Sequence, residues 1–230
     1  MKPDYRVNTE ETWDAIAESF DLTRQKPWYV CLEFIRSIKT TDIVADIGCG
    51  NGRHLLPCAY KCSYAIGVDI SNKLLRIVQK KITNKRIINV SLIHADAVKL
   101  PLTDNSVNAV LFIASLHNIR GKQHRHHALR EIVRVLKPNG VALISVWSRW
   151  QDIYWRYFIK QFFVRPREFG DIDVFWRQHN LNIPRYYHLY SRKEFQRDLL
   201  DAHFLIKNLQ SVRIHSKHFS DNHFAEVQKR

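Results

Sequence analysis

Between residues 42 and 147 short apolar runs rich in β-branched residues alternate with stretches whose apolar positions recur at helical spacing. That alternation predicts βαβ units and a mainly parallel sheet. The predicted strands are Asp42–Ile47, Tyr64–Asp69, Val90–Ala95, Asn108–Ile113 and Val141–Val146. The clearest helix runs from about Lys122 to Leu136, with Leu129, Ile132, Val133 and Leu136 on one side and Lys137-Pro-Asn-Gly140 as the turn that closes it. Helices around Glu10–Phe20 and Trp28–Ile38 precede the sheet, and Phe204–Ile214 and His223–Lys229 read as two strands that finish it. The expected architecture is one α/β domain over 1–230: N-terminal helices (1–40), the alternating core (41–147), an insertion (148–190), and a final helix and strands (191–230).

Composition sharpens the view of the insertion. From Trp147 to Tyr190 the chain carries 4 Trp, 5 Tyr and 5 Phe, with Arg149, Arg156, Lys160, Arg165, Arg167, Arg177 and Arg185 threaded among them. Aromatic faces stack on unpaired bases and Arg neutralises phosphate, so this is where a nucleic-acid substrate is expected to meet the fold; an aromatic cap packing on itself is the alternative. The whole chain has 36 Lys+Arg against 22 Asp+Glu, a net +14, which favours a polyanionic partner. No apolar run is long enough to cross a bilayer and the start has no signal-like segment, so a cytoplasmic protein without a membrane partner is expected. Cys31, Cys49, Cys58 and Cys62 show no paired spacing and read as free thiols. The four-residue steps of His54, Cys58 and Cys62 could align metal ligands on a helix, but small core residues are the better account, and no metal is expected in this chain.

The candidate chemistry lies at the strand ends. Asp46-Ile-Gly48-Cys49-Gly50-Asn51-Gly52 falls where the first strand gives way to a helix, and glycines there let backbone approach a ligand closely. The spacing is D-x-G-x-G-x-G and not the G-x-G-x-x-G of dinucleotide sites. A ligand with an ammonium and a sulfonium suits an acidic rim, which Asp46 is expected to supply. Asp69 ends the second strand, where a carboxylate can accept both hydrogen bonds of a ribose diol. Asp96 follows the third strand, positioned for an adenine amino group with Ala97 beside it.

This order of motifs resembles the class I S-adenosylmethionine-dependent methyltransferases, a Rossmann-like fold with a mainly parallel seven-stranded sheet and helices on both faces. The resemblance implies S-adenosylmethionine as cofactor, with Ile70 and Ala114 joining the loop and the strand-end aspartates around it. Near the ends the chain is similar to the tRNA wobble carboxymethyluridine methyltransferases of eukaryotes and their archaeal relatives. Ile16-Ala17, Phe20, Thr23-Arg24 and Lys26-Pro27-Trp28 look like that family's I-A-x-x-F-x-x-T-R-x-K-P-W segment. Arg185-Tyr186-Tyr187-His188-Leu189-Tyr190 looks like its R-Y-Y-H-L-Y hexapeptide, and Gln228-Lys229-Arg230 like its closing Q-K-R. Two features depart from it: a polar insertion before the hexapeptide is missing, and the family's His-His after the fourth strand is His117-Asn118.

The resemblance implies methyl-ester formation on the carboxylate of 5-carboxymethyluridine in a tRNA anticodon loop. Such a carboxylate, with pKa ~4, is already ionised at neutral pH and needs no general base. Arg24, Lys26, Arg185 and His188 are then expected to contact the anion and phosphates, Tyr186 and Tyr187 to pack the base, and His117 to line the acceptor side. Trp28 either contacts ligand or staples the N-terminal helix. The family also implies a small zinc-ribbon activator protein, and the uncharged run Val90–Ala95, at a sheet edge in this fold, is where its strand would pair. A small-molecule methyltransferase with a lipophilic acceptor and a catalytically silent RNA-binding subunit remain alternatives on sequence alone.

Overall fold

The computed structural model describes residues 5–161 and 168–230. Arg165 and Arg167 of the basic aromatic segment lie outside the described residues. Helices α1 (Tyr5–Thr23) and α2 (Tyr29–Ser37) lead into β1 (Ile43–Ile47), α3 (Leu55–Ala59), β2 (Tyr64–Asp69), α4 (Asn72–Lys85), β3 (Val90–His94), β4 (Val107–Ile113), α5 (Lys122–Val135) and β5 (Leu136–Trp147). These strands are parallel, and β9 (Asn222–Lys229) and β8 (Phe204–Val212) extend the sheet antiparallel beyond β5, giving the order β3-β2-β1-β4-β5-β9-β8.

The central strands are apolar on both sides because helices cover both faces. One core packs Ile132, Leu136 and Phe204 with α5; the other packs Val30, Phe34 and Val78 with α2 and α4. Strand order reverses between β1 and its neighbours β2 and β4, and the crevice at their carboxyl ends is where open α/β sheets bind ligands.

One expected turn is different. Helix α5 ends at Val135 and the chain enters β5 at once; Lys137–Gly140 is accommodated inside the strand as an irregularity, where the pairing with β4 steps from Val107↔Leu136 to Ala109↔Val141. Asn139, at φ 63°, supplies the left-handed residue that this excursion requires. Pro and Gly here mark a bulge and not a helix stop.

The insertion forms α6 (Trp155–Gln161) and an antiparallel hairpin, β6 (Asp171–Trp176) with β7 (Ile183–His188), over a satellite core of Phe158, Ile172, Val174, Tyr187 and Leu189. Helix α7 (Arg192–Asp201) starts with a capping box, Ser191 and Glu194. Helix α1 bridges the two halves. Its Asp14 accepts from Ser71 Oγ (2.6 Å) and the Lys73 N–H at the start of α4, while its Ser19 hydroxyl accepts from Trp176 Nε1 at 2.8 Å. Among the described residues no helix is long and apolar enough to cross a membrane. The four cysteines are buried and free, and His54, Cys58 and Cys62 do not form a metal-ligand cluster among the described residues.

Candidate active site

A cavity of about 580 Å³ opens at the carboxyl ends of β1, β2 and β4, between α1, the hairpin and the loop before β9. One wall is built from backbone. Gly48 and Gly50 sit at φ 67° and 56°, and a Cβ on Gly48 would lie 2.2 Å from Ser115 Oγ, so glycine is required there by both torsion and space. The N–H groups of Gly48 and Cys49 donate to the Val68 carbonyl at 2.7 and 3.0 Å, which anchors the loop to the end of β2.

Asp69 is held equally firmly: one oxygen accepts from the Gly50 N–H at 2.7 Å and the other from the Ser71 N–H at 2.8 Å. Burial raises its pKa, and those backbone donors work against the rise. Each oxygen keeps a lone pair for a ribose diol. Ile70, Asp96, Ala97 and Ala114 line the same wall. Ala114 adopts φ 53°, a conformation uncommon outside glycine, secured by its N–H donating to the Ser145 carbonyl and hydroxyl.

Two loop residues stand elsewhere than expected. Asp46 does not form an acidic rim: it lies beneath the loop, 1% exposed, and does not line the cavity. Burial, reinforced by Asp69, pushes its pKa up to about 8, and its Oδ2 has no hydrogen-bond partner. Gly52 is also buried behind the loop, where a Cβ would press on Val78 at 3.1 Å. Asn51 does line the cavity; its amide donates to Asp21 (2.8 Å) and the Arg24 carbonyl (3.0 Å), tying the loop to α1, and its Oδ1 is left unpartnered. A loop whose backbone can approach a ligand closely, a diol-ready carboxylate and the unpartnered Asn51 oxygen together fit S-adenosylmethionine.

The other wall is built from side chains. Arg24, Arg53 and Arg185 all line it, and among the described residues none of them forms an ion pair. Arg185 is 7% exposed, donates to the Tyr187 hydroxyl at 2.6 Å and leaves its Nε unpartnered. Its guanidinium and that of Arg24 lie 4.9 and 5.3 Å from the Trp176 ring, and Arg53 stands 4.6 Å over Trp28. Burial lowers the pKa of Arg24, Arg185 lowers it further, and burial brings Arg53 down to about 10. Asp46 lies within electrostatic reach of Arg53 but forms no ion pair with it, and converging cations without an ion-pair partner have an electrostatic cost that a bound anion relieves.

His117 stacks on Tyr187 at 5.0 Å, and Trp147 meets Tyr187 at 4.9 Å. The Trp147 N–H donates to His117 Nδ1 at 3.0 Å, and burial pushes the imidazole down to about 3. The ring is therefore neutral with its hydrogen on Nε2: it offers a donor and not a base.

Strand alternation divides the expected substrate residues of β7. Arg185 and Tyr187 face the cavity, whereas Tyr186 and His188 do not line it. His188 is fully buried, with Nδ1 on Asp171 (2.8 Å) and Nε2 on Glu194 (2.9 Å), so it has no nitrogen left for substrate. Tyr186 donates to Asp171 at 2.6 Å beneath the Arg120 guanidinium. Both organise the hairpin. Lys26 is exposed and outside the cavity, while Trp28 lines it and also packs on Phe224.

Sequence reading missed Arg53, although an arginine directly after a glycine loop was a usable signal. It also missed Trp176 and the loop around His215 and Lys217. That loop is shaped by Asp221, which accepts from the N–H groups of Ile214, His215 and Ser216, and by Asp152, which accepts from those of Lys217, His218 and Phe219. No local pattern announces this.

The sheet order, glycine cradle and strand-end carboxylates are those of the class I S-adenosylmethionine-dependent methyltransferase fold, and residues 45–144 match the methyltransferase domain family. The chain is similar to the tRNA (carboxymethyluridine(34)-5-O)-methyltransferases. It is 34% identical over 145 residues to ALKBH8 of Mus musculus, covering 63% of this chain and 20% of that protein. It is 29% identical over 202 residues to the enzyme of Schizosaccharomyces pombe, covering 80% of this chain and 82% of that one. The chain spans about a fifth to a third of the length of the animal and plant relatives it matches. Its fold superposes with a TM-score of 0.71, at 16% identity, on a chain of the complex between the Haloferax volcanii Trm112 methyltransferase activator and a putative methyltransferase, covering 96% of this chain and 97% of that one.

Proposed function

We propose that the protein transfers the methyl group of S-adenosylmethionine to the carboxylate of 5-carboxymethyluridine at the wobble position of tRNA, forming a methyl ester. The observation that carries this reading is the set of unpaired guanidiniums of Arg24, Arg53 and Arg185 beside the ring stack of His117, Tyr187 and Trp147. An anionic, planar acceptor satisfies both halves of that wall; a neutral lipophilic one would leave the buried Arg185 and the half-buried Arg24 and Arg53 unsatisfied.

The bound cofactor supplies an electrophilic methyl on sulfonium. Arg185 and Arg24 hold the acceptor carboxylate, Tyr187 and its neighbours flank the base, and His117 donates a hydrogen bond from Nε2. The carboxylate arrives ionised, so no residue has to remove a proton, and alignment and exclusion of water are what the cavity contributes. Trp13 and Phe20 of α1 roof the site. The net +14 of the chain supports a tRNA anticodon loop as substrate.

The reading extends to a partner and a compartment. Among the described residues β3 ends the sheet with no strand beyond it, and Ile88 just before it is 94% exposed. A small zinc-ribbon activator pairing with Val90–Ala95 would cover both, and the Trm112 complex among similar folds supports such a partner. A cytoplasmic location is part of the same proposal.

Radiolabelled methyl transfer to bulk tRNA, followed by mild alkali, tests the reaction: label lost as methanol marks the ester, and alkali-stable label overturns it. For the partner, hydrogen exchange of the Val90–Ala95 amides should slow on complex formation, and unchanged exchange would reject edge pairing.

A further inference from the structure

Two clusters of histidine and carboxylate lie outside the cavity, and they differ in how their polar atoms are satisfied. Glu168, His188 and Glu194 form one, but both nitrogens of His188 are occupied and Arg125 and Arg149 neutralise the two glutamates, so that cluster is complete. His126 of α5 and Asp198 and Asp201 of α7 form the other. There the accounting does not close. Asp198 is 1% exposed, yet its Oδ1 has no hydrogen-bond partner, and neither has the buried Nε2 of His126. The two atoms are 3.2 Å apart without the alignment of a hydrogen bond. Attraction between the two side chains at 3.2 Å offsets part of the burial cost of Asp198, burial still outweighs it, and a cation held by both atoms would offset the rest.

We propose that His126, Asp198 and Asp201 bind one divalent first-row transition cation, zinc foremost, which clips α5 to α7. The donor set of one imidazole and two carboxylates suits such an ion. Bonds of about 2.0–2.2 Å in a tetrahedral site separate ligand atoms by roughly 3.4 Å, close to the 3.2 Å between His126 Nε2 and Asp198 Oδ1. Asp201, one helical turn beyond Asp198, offers an oxygen within 4.8 Å of both and is exposed enough to close the remaining gap by rotating its side chain. Water completes the coordination. Because α5 packs on the cofactor half and α7 follows the hairpin that carries Arg185, the clip would fix the acceptor wall relative to the cofactor wall. The site is independent of which acceptor is methylated.

The test uses the full chain, stripped with chelator and titrated with Co²⁺ as a spectroscopic probe and Zn²⁺ as competitor. Wild-type protein should take up one Co²⁺ with the visible d–d absorption of a low-symmetry site, and Zn²⁺ should displace it and raise the thermal midpoint. His126→Ala and Asp201→Asn, both at positions that reach solvent, should each weaken the ion at least tenfold and abolish the midpoint shift while circular dichroism stays native. Absence of a stoichiometric Co²⁺ band in wild-type protein, or equal binding in both variants, would overturn the site and leave His126 and Asp198 as an ordinary ion pair.

Discussion

The two walls of the cavity solve the problem of buried charge in opposite ways. On the cofactor wall Asp69 is buried, but backbone N–H groups from the glycine loop and the start of α4 donate to both of its oxygens and offset part of the cost of burial before any ligand enters. On the acceptor wall three arginines converge with aromatic faces as neighbours and, among the described residues, no ion-pair partner, Asp46 acting on Arg53 only from a distance. A wall whose charge is already hydrogen-bonded can bind a cofactor of mixed charge by shape and hydrogen bonds. An uncompleted one is selective for an anion, because only an anion removes its cost.

The sharpest way to break this contrast is to empty the acceptor wall of its central cation. Arg185→Met should lower kcat/KM for tRNA methyl transfer about 10²–10³-fold, roughly 3–4 kcal/mol, the scale of a lost charged contact to a buried anion. Cofactor affinity measured by calorimetry should change less than threefold. A variant that loses both equally would show that the walls are not separate. Next in size, Asp69→Ala should weaken S-adenosylmethionine by about 1–3 kcal/mol, leaving the Gly50 and Ser71 N–H groups and the ribose without their acceptor. Unchanged calorimetric affinity in a folded variant would remove Asp69 from the cofactor wall.

Two histidines sharpen the comparison through pH. His117 has its folded pKa pushed down to about 3, so the unfolded chain, with a histidine pKa of ~6.5, binds the proton first. Stability then falls as pH drops below ~6.5, by about 2 kcal/mol at pH 5. His188 behaves oppositely. Burial opposes its charge, but Asp171 and Glu194 outweigh that and raise its pKa, so its contribution is fully present below ~6.5 and is lost as pH rises through the folded value. Asp171 and Glu194 have lowered pKa values, so their contribution is present above their unfolded values of ~4 and is lost as pH falls below them. Denaturation of His117→Asn should therefore show a flatter loss of stability between pH 6.5 and 5 than wild type, and His188→Gln should lack the part of the wild-type stability loss that sets in as pH rises above ~6.5; curves parallel to wild type in both windows would contradict both assignments.

The smallest expected effect lies outside the cavity. Lys26 is exposed, so Lys26→Ala should leave cofactor affinity unchanged, cost less than about 1 kcal/mol in tRNA binding, and reduce the slope of log K against log salt by about 0.9 if it meets one phosphate. An unaltered slope would confine tRNA contact to the cavity rim and the insertion.

Features set by a residue's own backbone or by short-range periodicity were legible in the sequence. The strands, the glycine loop, and the placement of Asp69, Asp96, Arg24 and His117 around it follow from such signals, together with the family resemblance. Gly48 is an example, because its left-handed torsion is a property of that position alone. The hexapeptide at 185–190 was recognisable as a unit, but which of its side chains reach the cavity depended on the twofold alternation of β7 and on which face of that strand the domain covers. Asp46 sits in the loop as expected, and only tertiary packing placed it beneath. What the sequence could not convey was the meeting of Arg24, Arg53 and Arg185, or their lack of ion-pair partners among the described residues against the full pairing of His188. Charge compensation is settled by distances of a few ångströms between side chains on different elements, Arg185 lying more than a hundred positions from the other two arginines, and Coulomb energy depends on that separation and on burial, neither of which is encoded locally.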